Sequence, residues 1–144
     1  MDLSDCTRFA SEHPICFLAT EDEGRPRVRP LLLWFADDQG FTFMTMTPKQ
    51  LSEQLHRDAR VEVCFYNGAT ELPDARSLRV TGEAEFLDDA ELVHRVSEER
   101  AALEGLIGRP LEPITEVFRV AHGEARFWTL GDILKERAVE TFVF

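Results

Sequence analysis

Leu78-Arg79-Val80-Thr81-Gly82-Glu83-Ala84-Glu85-Phe86 alternates apolar or small residues with polar ones along its whole length. A period of two marks a strand with one face buried and the other in water. Sheets that are wet on one face are antiparallel as a rule, so this stretch points to the fold class. Upstream, Val61-Glu62-Val63-Cys64-Phe65-Tyr66 repeats the pattern, with Val61, Val63 and Phe65 on one face. Residues 67–74 between the two hold Asn67-Gly68 and Pro73 and read as a loop. Downstream, residues 117–120 and 125–130 read as a hairpin turning at His122-Gly123. Toward the N-terminus, residues 15–20 are a compact apolar strand and residues 27–35 are extended. The loop Ala36-Asp37-Asp38-Gln39-Gly40 then returns the chain into residues 41–45.

Helices fill the gaps. Residues 2–12 place Leu3, Cys6, Phe9 and Ala10 on one face and stop at His13-Pro14, since the residue before proline avoids the helical region. Residues 47–55 carry a start signal: Thr47 as N-cap, Pro48 in the first helical position, and Gln50 completing a T-x-x-Q capping box. A third helix runs from Asp88 to about Leu103 with an interrupted apolar stripe, which suits the periphery. Gly108, Pro110 and Pro113 break the stretch that follows. The tail from Ile133 ends in Thr141-Phe142-Val143-Phe144, apolar enough to dock as an edge strand. The expected fold is mainly β: six antiparallel strands in a small barrel with peripheral helices, because closure removes exposed edges.

A chain of 144 residues is expected to form one domain over residues 1–144. Its charged fraction of 30% and ordinary apolar content belong to a folded protein. The net charge of −11 disfavours nucleic acid and anionic membrane surfaces as partners. No apolar run reaches the roughly eighteen residues of a membrane span, and the first residues lack a signal-peptide pattern, so a cytoplasmic location is expected. Cys6, Cys16 and Cys64 are widely spaced, Cys16 and Cys64 inside apolar runs, and read as buried inert thiols. His13, His56, His94 and His122 are scattered without metal-ligand spacing, so no protein-built metal site is expected.

The charge is unevenly spread. Residues 25–60 hold six basic residues, Arg25, Arg27, Arg29, Lys49, Arg57 and Arg60, against four acidic ones, a local charge of +2. Cations gathered against a global excess of anions suit a small anionic ligand. Lys49 is one of two lysines beside fourteen arginines and stands at the start of the second helix. A cation there opposes the helix dipole, and a bound anion would repair the conflict; a solvated surface lysine is the alternative. The Thr47 hydroxyl can cap the helix or donate to a phosphate oxygen, and Thr45 is the other hydroxyl in reach. Arg27 and Arg29 share one strand face that continues as Leu31, Leu33 and Phe35. Arg29 therefore sits where the surface turns apolar, a place where arginine finds an anionic or planar partner. Trp128 points away from the face of Ala125 and Phe127, so it either seals a subunit interface or meets a ligand. Both hold if the ligand lies in the interface.

The ordered series F-L-A-T, V-R-P-L-L, G-F-T-F-M-T, K-Q-L-S-E-Q-L, R-V-E-V-C-F and L-R-V-T-G-E-A-E-F resembles the pyridoxamine 5′-phosphate oxidase-like FMN-binding split barrels, and among these the nitroimidazole-resistance (Nim) type. The likeness runs from about Ile15 to Leu130. It implies a split-barrel homodimer with FMN at the subunit interface. Arg29, Pro30 and Leu31 would lie along the flavin, and Thr45, Met46, Thr47, Lys49 and Gln50 would surround the ribityl phosphate. Ser77 and Trp128 would reach the same flavin from the partner chain. Ser77 stands where the oxidase has glutamine, and Thr129-Leu130-Gly131-Asp132 replaces the oxidase's substrate-gripping segment, so vitamin B6 oxidation is not expected.

The resemblance thus implies an FMN-dependent oxidoreductase, a reductase of a small organic substrate, nitroaromatics being among the candidates, with a nicotinamide electron donor. Catalytic residues beyond the flavin are not identified; Tyr66, His56 and Cys64 read as structural. The alternatives are a non-catalytic flavin-binding redox sensor or carrier, and a split barrel that binds deazaflavin F420 or haem.

Overall fold

In the computed structural model, which describes Met1–Phe144, eight strands form one antiparallel sheet. They are β1 (Ile15–Asp22), β2 (Arg25–Leu32), β3 (Phe35–Asp37), β4 (Gly40–Met46), β5 (Arg60–Tyr66), β6 (Arg76–Phe86), β7 (Thr115–Thr129) and β8 (Phe142–Val143). Their order across the sheet is β2-β1-β5-β6-β7-β4-β3, with β8 on β7. The end strands β2 and β3 are consecutive in the chain, with only Leu33 and Trp34 between them. So short a connection spans about 10 Å at most, which forces the sheet to curl until its two edges nearly meet. The seam stays open. Leu33 N–H donates to Pro14 O at 2.8 Å and Trp34 N–H to Thr42 O at 3.0 Å, so the two ends are joined by the chain and not by a β ladder.

The mainly β, split-barrel reading therefore stands, with eight strands where six are expected. One difference is the extended stretch 27–35, which is cut at Leu33-Trp34. Its first part pairs with β1, and only the short β3 forms the hairpin with β4. A second is the hairpin expected at His122-Gly123, which does not exist. Both residues lie inside the 15-residue strand β7. The first part of β7 pairs with β4, most of its length with β6, and Glu124–Ala125 with β8. Gly123 is there for close approach and not for a turn. It faces Gly82 next to a register shift between Gly82 and Ala84, and a Cβ on it would lie 2.1 Å from the Thr81 carbonyl oxygen.

Four helices pack around the sheet. In α1 (Leu3–Glu12) Asp2 and Asp5 cap each other's backbone N–H, and Cys6, Phe9 and Ala10 are buried. The second helix, α2 (Gln50–Arg57), buries Leu51, Ser52, Gln54 and Leu55. The third, α3 (Ala90–Glu99), is capped by Asp89 and ends before the expected boundary, and α4 (Leu103–Ile107) forms where irregular chain is expected. A main core of 19 buried residues fills the barrel under α1 and α2, with Leu18, Phe41, Phe43, Phe65, Leu78 and Phe118 fully enclosed. A smaller cluster of Met44, Val96, Leu111 and Val117 attaches α3 to the outside of β4 and β7. Cys6 and Cys16 are buried, and desolvation pushes the Cys16 thiol up to about 12, whereas Cys64 is only half-buried. No helix is long and apolar enough to cross a membrane.

The glycine crossing makes a direct stability prediction. Gly123→Ala is expected to destabilise the fold by about 2–3 kcal/mol, since the clash is with backbone that cannot rotate away. Gly131→Ala, whose nearest neighbour would be 3.5 Å away, is the control. Urea-unfolding midpoints of the two variants check this.

Candidate functional site

The end of the barrel closed by α2 gathers the candidate anion-binding residues. Chain direction accounts for this: β4 runs out at Met46, Thr47 N–H donates to Ile114 O at 2.8 Å, and the chain turns over the barrel end into α2. The helix begins two residues later than its start signal suggests. Lys49, not Thr47, is the N-cap residue, and no side chain caps the helix. The T-x-x-Q capping box does not form, because Pro48 lies in a turn ahead of the helix and Gln50 is its first residue. The first-turn N–H groups of α2 are thus left without a side-chain acceptor.

Arg29 comes to the same end on β2. Its Nη1 donates to Thr20 Oγ1 at 2.8 Å and to Leu18 O at 3.3 Å, and its Nη2 donates to Gln54 Oε1. All of these partners are neutral. By contrast Arg27 and Arg57 pair with Asp22, and Arg60 pairs with Asp58, whose carboxyl is held down at about 2 by the hydrogen bonds from Arg60. Burial, and next the charge of Arg27, lowers the Arg29 pKa. The Lys49 ammonium is also pushed down, by desolvation first and then by Arg29, although much of its side chain is exposed. The two cations are therefore within charge range of each other and neither is in a direct ion pair, Asp22 acting on Arg29 only as a more distant counter-charge.

Thr45 lies on β4 beneath α2. It is fully buried, and its Oγ1 has no hydrogen-bond partner. Its cross-strand neighbour Glu116 is occupied by α2: Ser52 Oγ donates to Oε1, and His56 Nε2 lies 2.6 Å from Oε2. His56 also stacks on Phe86 with ring centroids 3.9 Å apart. Thr47, Lys49 and Gln50 are exposed at the turn, and Met46 packs toward the outer cluster.

Ser77 and Trp128 are elsewhere. They are cross-strand partners on β6 and β7 and face the outside of the sheet, opposite to the inward face that holds Leu78 and Ala125. Trp128 Nε1 is buried without a partner, and the guanidinium of Arg79 lies 5.9 Å from the ring centroid. Pro30 shares this outer face, whereas Leu31 packs against the core. Within one chain, then, Arg29 is tied to α2 through Gln54 and lies within charge range of Lys49, Thr45 lies beneath the same helix, Thr47 and Gln50 flank its start, and Ser77 and Trp128 lie elsewhere.

Residues 5–129 match the pyridoxamine 5′-phosphate oxidase family. The chain belongs to that family. A pyridoxine/pyridoxamine 5′-phosphate oxidase from Agrobacterium fabrum is 36% identical over 75 residues, which is 51% of this chain and 34% of that relative, so the chain spans only about a third of it. Among solved structures, a NimC/NimA family protein from Clostridium acetobutylicum superposes with a TM-score of 0.76 at 22% identity, covering 99% of this chain and 92% of the other. HutZ, a haem storage protein from Vibrio cholerae, superposes with a TM-score of 0.64 at 18% identity, covering 90% and 95%. At these identities the two structures establish the fold of this oxidase-family chain alone.

Two residues of the site escape a reading by motif. Thr20 and Gln54 are buried and polar, and Thr20 Oγ1 donates to Gln54 Oε1 at 2.6 Å. The available signal is a polar residue inside the apolar stripe of α2, where Leu51, Gln54 and Leu55 share one face.

The unpaired Thr45 hydroxyl yields a test. In the ligand-free protein Thr45→Val is expected to be neutral or to stabilise by about 1 kcal/mol, because it removes a buried polar atom that has no partner. Thr42→Val, which loses the bond from Arg119 Nε at 3.2 Å, is expected to destabilise by a similar amount. Chemical denaturation of both variants measures the opposite signs.

Proposed function

We propose that the protein is a homodimeric FMN-binding flavoprotein and acts as an FMN-dependent oxidoreductase that reduces a small, electron-poor organic substrate such as a nitroaromatic compound. The observation that carries this reading is where the two unpaired buried side-chain polar atoms fall. They are Thr45 Oγ1 and Trp128 Nε1, both on residues at which the family resemblance expects cofactor. Buried polar atoms are almost always partnered, so two orphans at one expected site favour a missing ligand.

The donor set fits a phosphate. Lys49 and Arg29 supply charge that no direct ion pair takes up, the uncapped start of α2 supplies N–H groups, and Thr45 supplies a hydroxyl. FMN, when bound, supplies the hydride or electron transfer, while the protein binds, orients and shields. Lys49 and Arg29 act in this reading as electrostatic binders. No side chain nearby is free to serve as a general base: His56 is engaged by Glu116, and the Tyr66 hydroxyl donates to Ala69 O.

A second copy completes the site. Arg29 faces inward and Trp128 outward, so one flavin meets both only across two chains. The outer face supports such an interface. Ile15, Phe17, Val28 and Leu32 are 64%, 48%, 68% and 46% exposed, and strand register makes them neighbours on β1 and β2. Contiguous exposed apolar surface of this kind marks an interaction site. After Trp128, Thr129 and Asp132 cap each other in a tight 3-10 turn, which offers no cation to a pyridoxal phosphate and keeps vitamin B6 oxidation out of the proposal.

Freshly purified protein is expected to show flavin absorption and to release FMN on denaturation, identified by mass spectrometry. Release of F420, or a haem Soret band, would replace FMN as the ligand. Lys49→Ala is expected to weaken FMN binding about 10- to 100-fold, the worth of a charge-assisted contact. Full FMN occupancy in that variant would overturn the phosphate assignment. Stopped-flow mixing with NADH or NADPH tests turnover: bound flavin that neither donor reduces indicates a flavin carrier or sensor.

A further inference from the structure

Gln54 is 4% exposed and sits one turn into α2, yet it faces the barrel interior beside Leu51 and Leu55. Two donors converge on its Oε1: the Thr20 hydroxyl at 2.6 Å and Arg29 Nη2. An amide nitrogen cannot accept, so the convergence itself identifies the oxygen. Thr20 Oγ1 in turn accepts from Arg29 Nη1 at 2.8 Å. Arg29, Thr20 and Gln54 thus form a closed ring of hydrogen bonds in which the guanidinium is gripped at both terminal nitrogens.

What the ring lacks is a negative charge. A carboxylate in place of the Gln54 amide would accept the same two hydrogen bonds and would form an ion pair with Arg29. Elsewhere in the same basic stretch the chain uses that solution, with Asp22 on Arg27 and Arg57 and Asp58 on Arg60. At Arg29 orientation is fixed and charge is left over. That charge is within range of Lys49, whose ammonium is pushed down by desolvation first and by Arg29 next.

We infer that Gln54, with Thr20, is a positioning residue that holds Arg29 as a cation in no direct ion pair, so that it binds the phosphate of the cofactor together with Lys49. This rests on the FMN reading above. The amide is a selective choice: it supplies geometry while keeping the local charge at the value a phosphate dianion needs. It also ties α2, which carries Lys49 and the free N–H groups, to β1 and β2, so the elements of the phosphate site move as one body.

Comparing FMN with riboflavin, which has the same ring and no phosphate, isolates this role. Dissociation constants for both are measured on cofactor-stripped dimers of the wild type, Gln54→Glu and Thr20→Val, alongside thermal unfolding of each ligand-free protein. Gln54→Glu is expected to fold with an unfolding temperature at or above that of the wild type, because it gains an ion pair with Arg29. It is expected to bind FMN at least about tenfold more weakly, or about 1.4 kcal/mol, with riboflavin unchanged. Thr20→Val is expected to show the same selective loss through a misplaced guanidinium. A Gln54→Glu variant that binds FMN like the wild type, or that loses FMN and riboflavin equally, overturns the inference and leaves the FMN reading intact. Should Gln54→Glu fail to fold, an unchanged FMN-to-riboflavin ratio in Thr20→Val overturns it instead. Wild-type protein that binds no FMN refutes the FMN reading, and the inference with it.

Discussion

The approach of β6 to β7 at Gly82 and Gly123 is the constraint on which the rest of the structure depends. With no side chain at Gly123, backbone comes within a distance that a single Cβ would violate. Beside it the register of β6 on β7 shifts, a bulge that bends β7 while the first part of the strand pairs with β4 along its other edge. That bend carries the end of β4 around the barrel to face β1 and β2. The bend acts together with the short Leu33-Trp34 connection, which holds the two sheet edges close, so that β4 runs out toward the end of the barrel where Arg29 meets α2. The site geometry therefore follows from sheet curvature, to which the glycine crossing and the short connection both contribute.

Within the curled sheet, the basic stretch divides into paired and unpaired charge. Asp22, Glu53 and Asp58 engage Arg27, Arg57 and Arg60 on the exposed flank of α2 and the β1–β2 turn. Exposed pairs of this kind contribute little to stability, but they remove those arginines from competition for an incoming anion. Arg29 and Lys49 are left as partly desolvated cations in no direct ion pair, with Asp22 acting on Arg29 only at longer range. The local excess of positive charge is thereby concentrated at one end of the barrel, where an uncapped helix start and a buried hydroxyl also point to an anion.

Much of this is legible in the sequence, and the exceptions share a cause. Period-two alternation locates β5 and β6, because one-faced burial follows from local pattern alone. The grouping of Arg29, Thr45, Thr47 and Lys49 follows from charge and motif order. The glycine at 123 is misleading: in isolation a His-Gly pair inside apolar chain signals a turn, and only the partner strand reveals that its purpose is close approach. Thr47-Pro48-Lys49-Gln50 misleads in the same way. Local propensity supports a capped helix, but tertiary packing starts α2 at Gln50 and leaves the cap unmade. Gln54 and Thr20 are invisible to motif reading because each is unremarkable alone. Their meaning lies in a contact between residues 34 positions apart in the chain.

The two-faced arrangement of the proposed site has a thermodynamic consequence. Arg29 and Lys49 belong to the inner end of one barrel, and Ser77 and Trp128 to the outer face of the sheet. A ligand touching all four must draw on two copies of the chain. Ligand binding and dimer formation are then linked, since each stabilises the state that the other requires. In the proposed dimer the exposed apolar row through Ile15, Phe17, Val28 and Leu32 would contribute a hydrophobic driving force that does not depend on the ligand. The polar elements contribute what that row cannot, because apolar burial is non-directional and permits sliding. A phosphate fixed by oriented cations on one chain, with its ring system against Trp128 of the other, would set the register between the two barrels. In the proposed dimer, hydrophobic area would account for association, and the gripped arginine for where association stops.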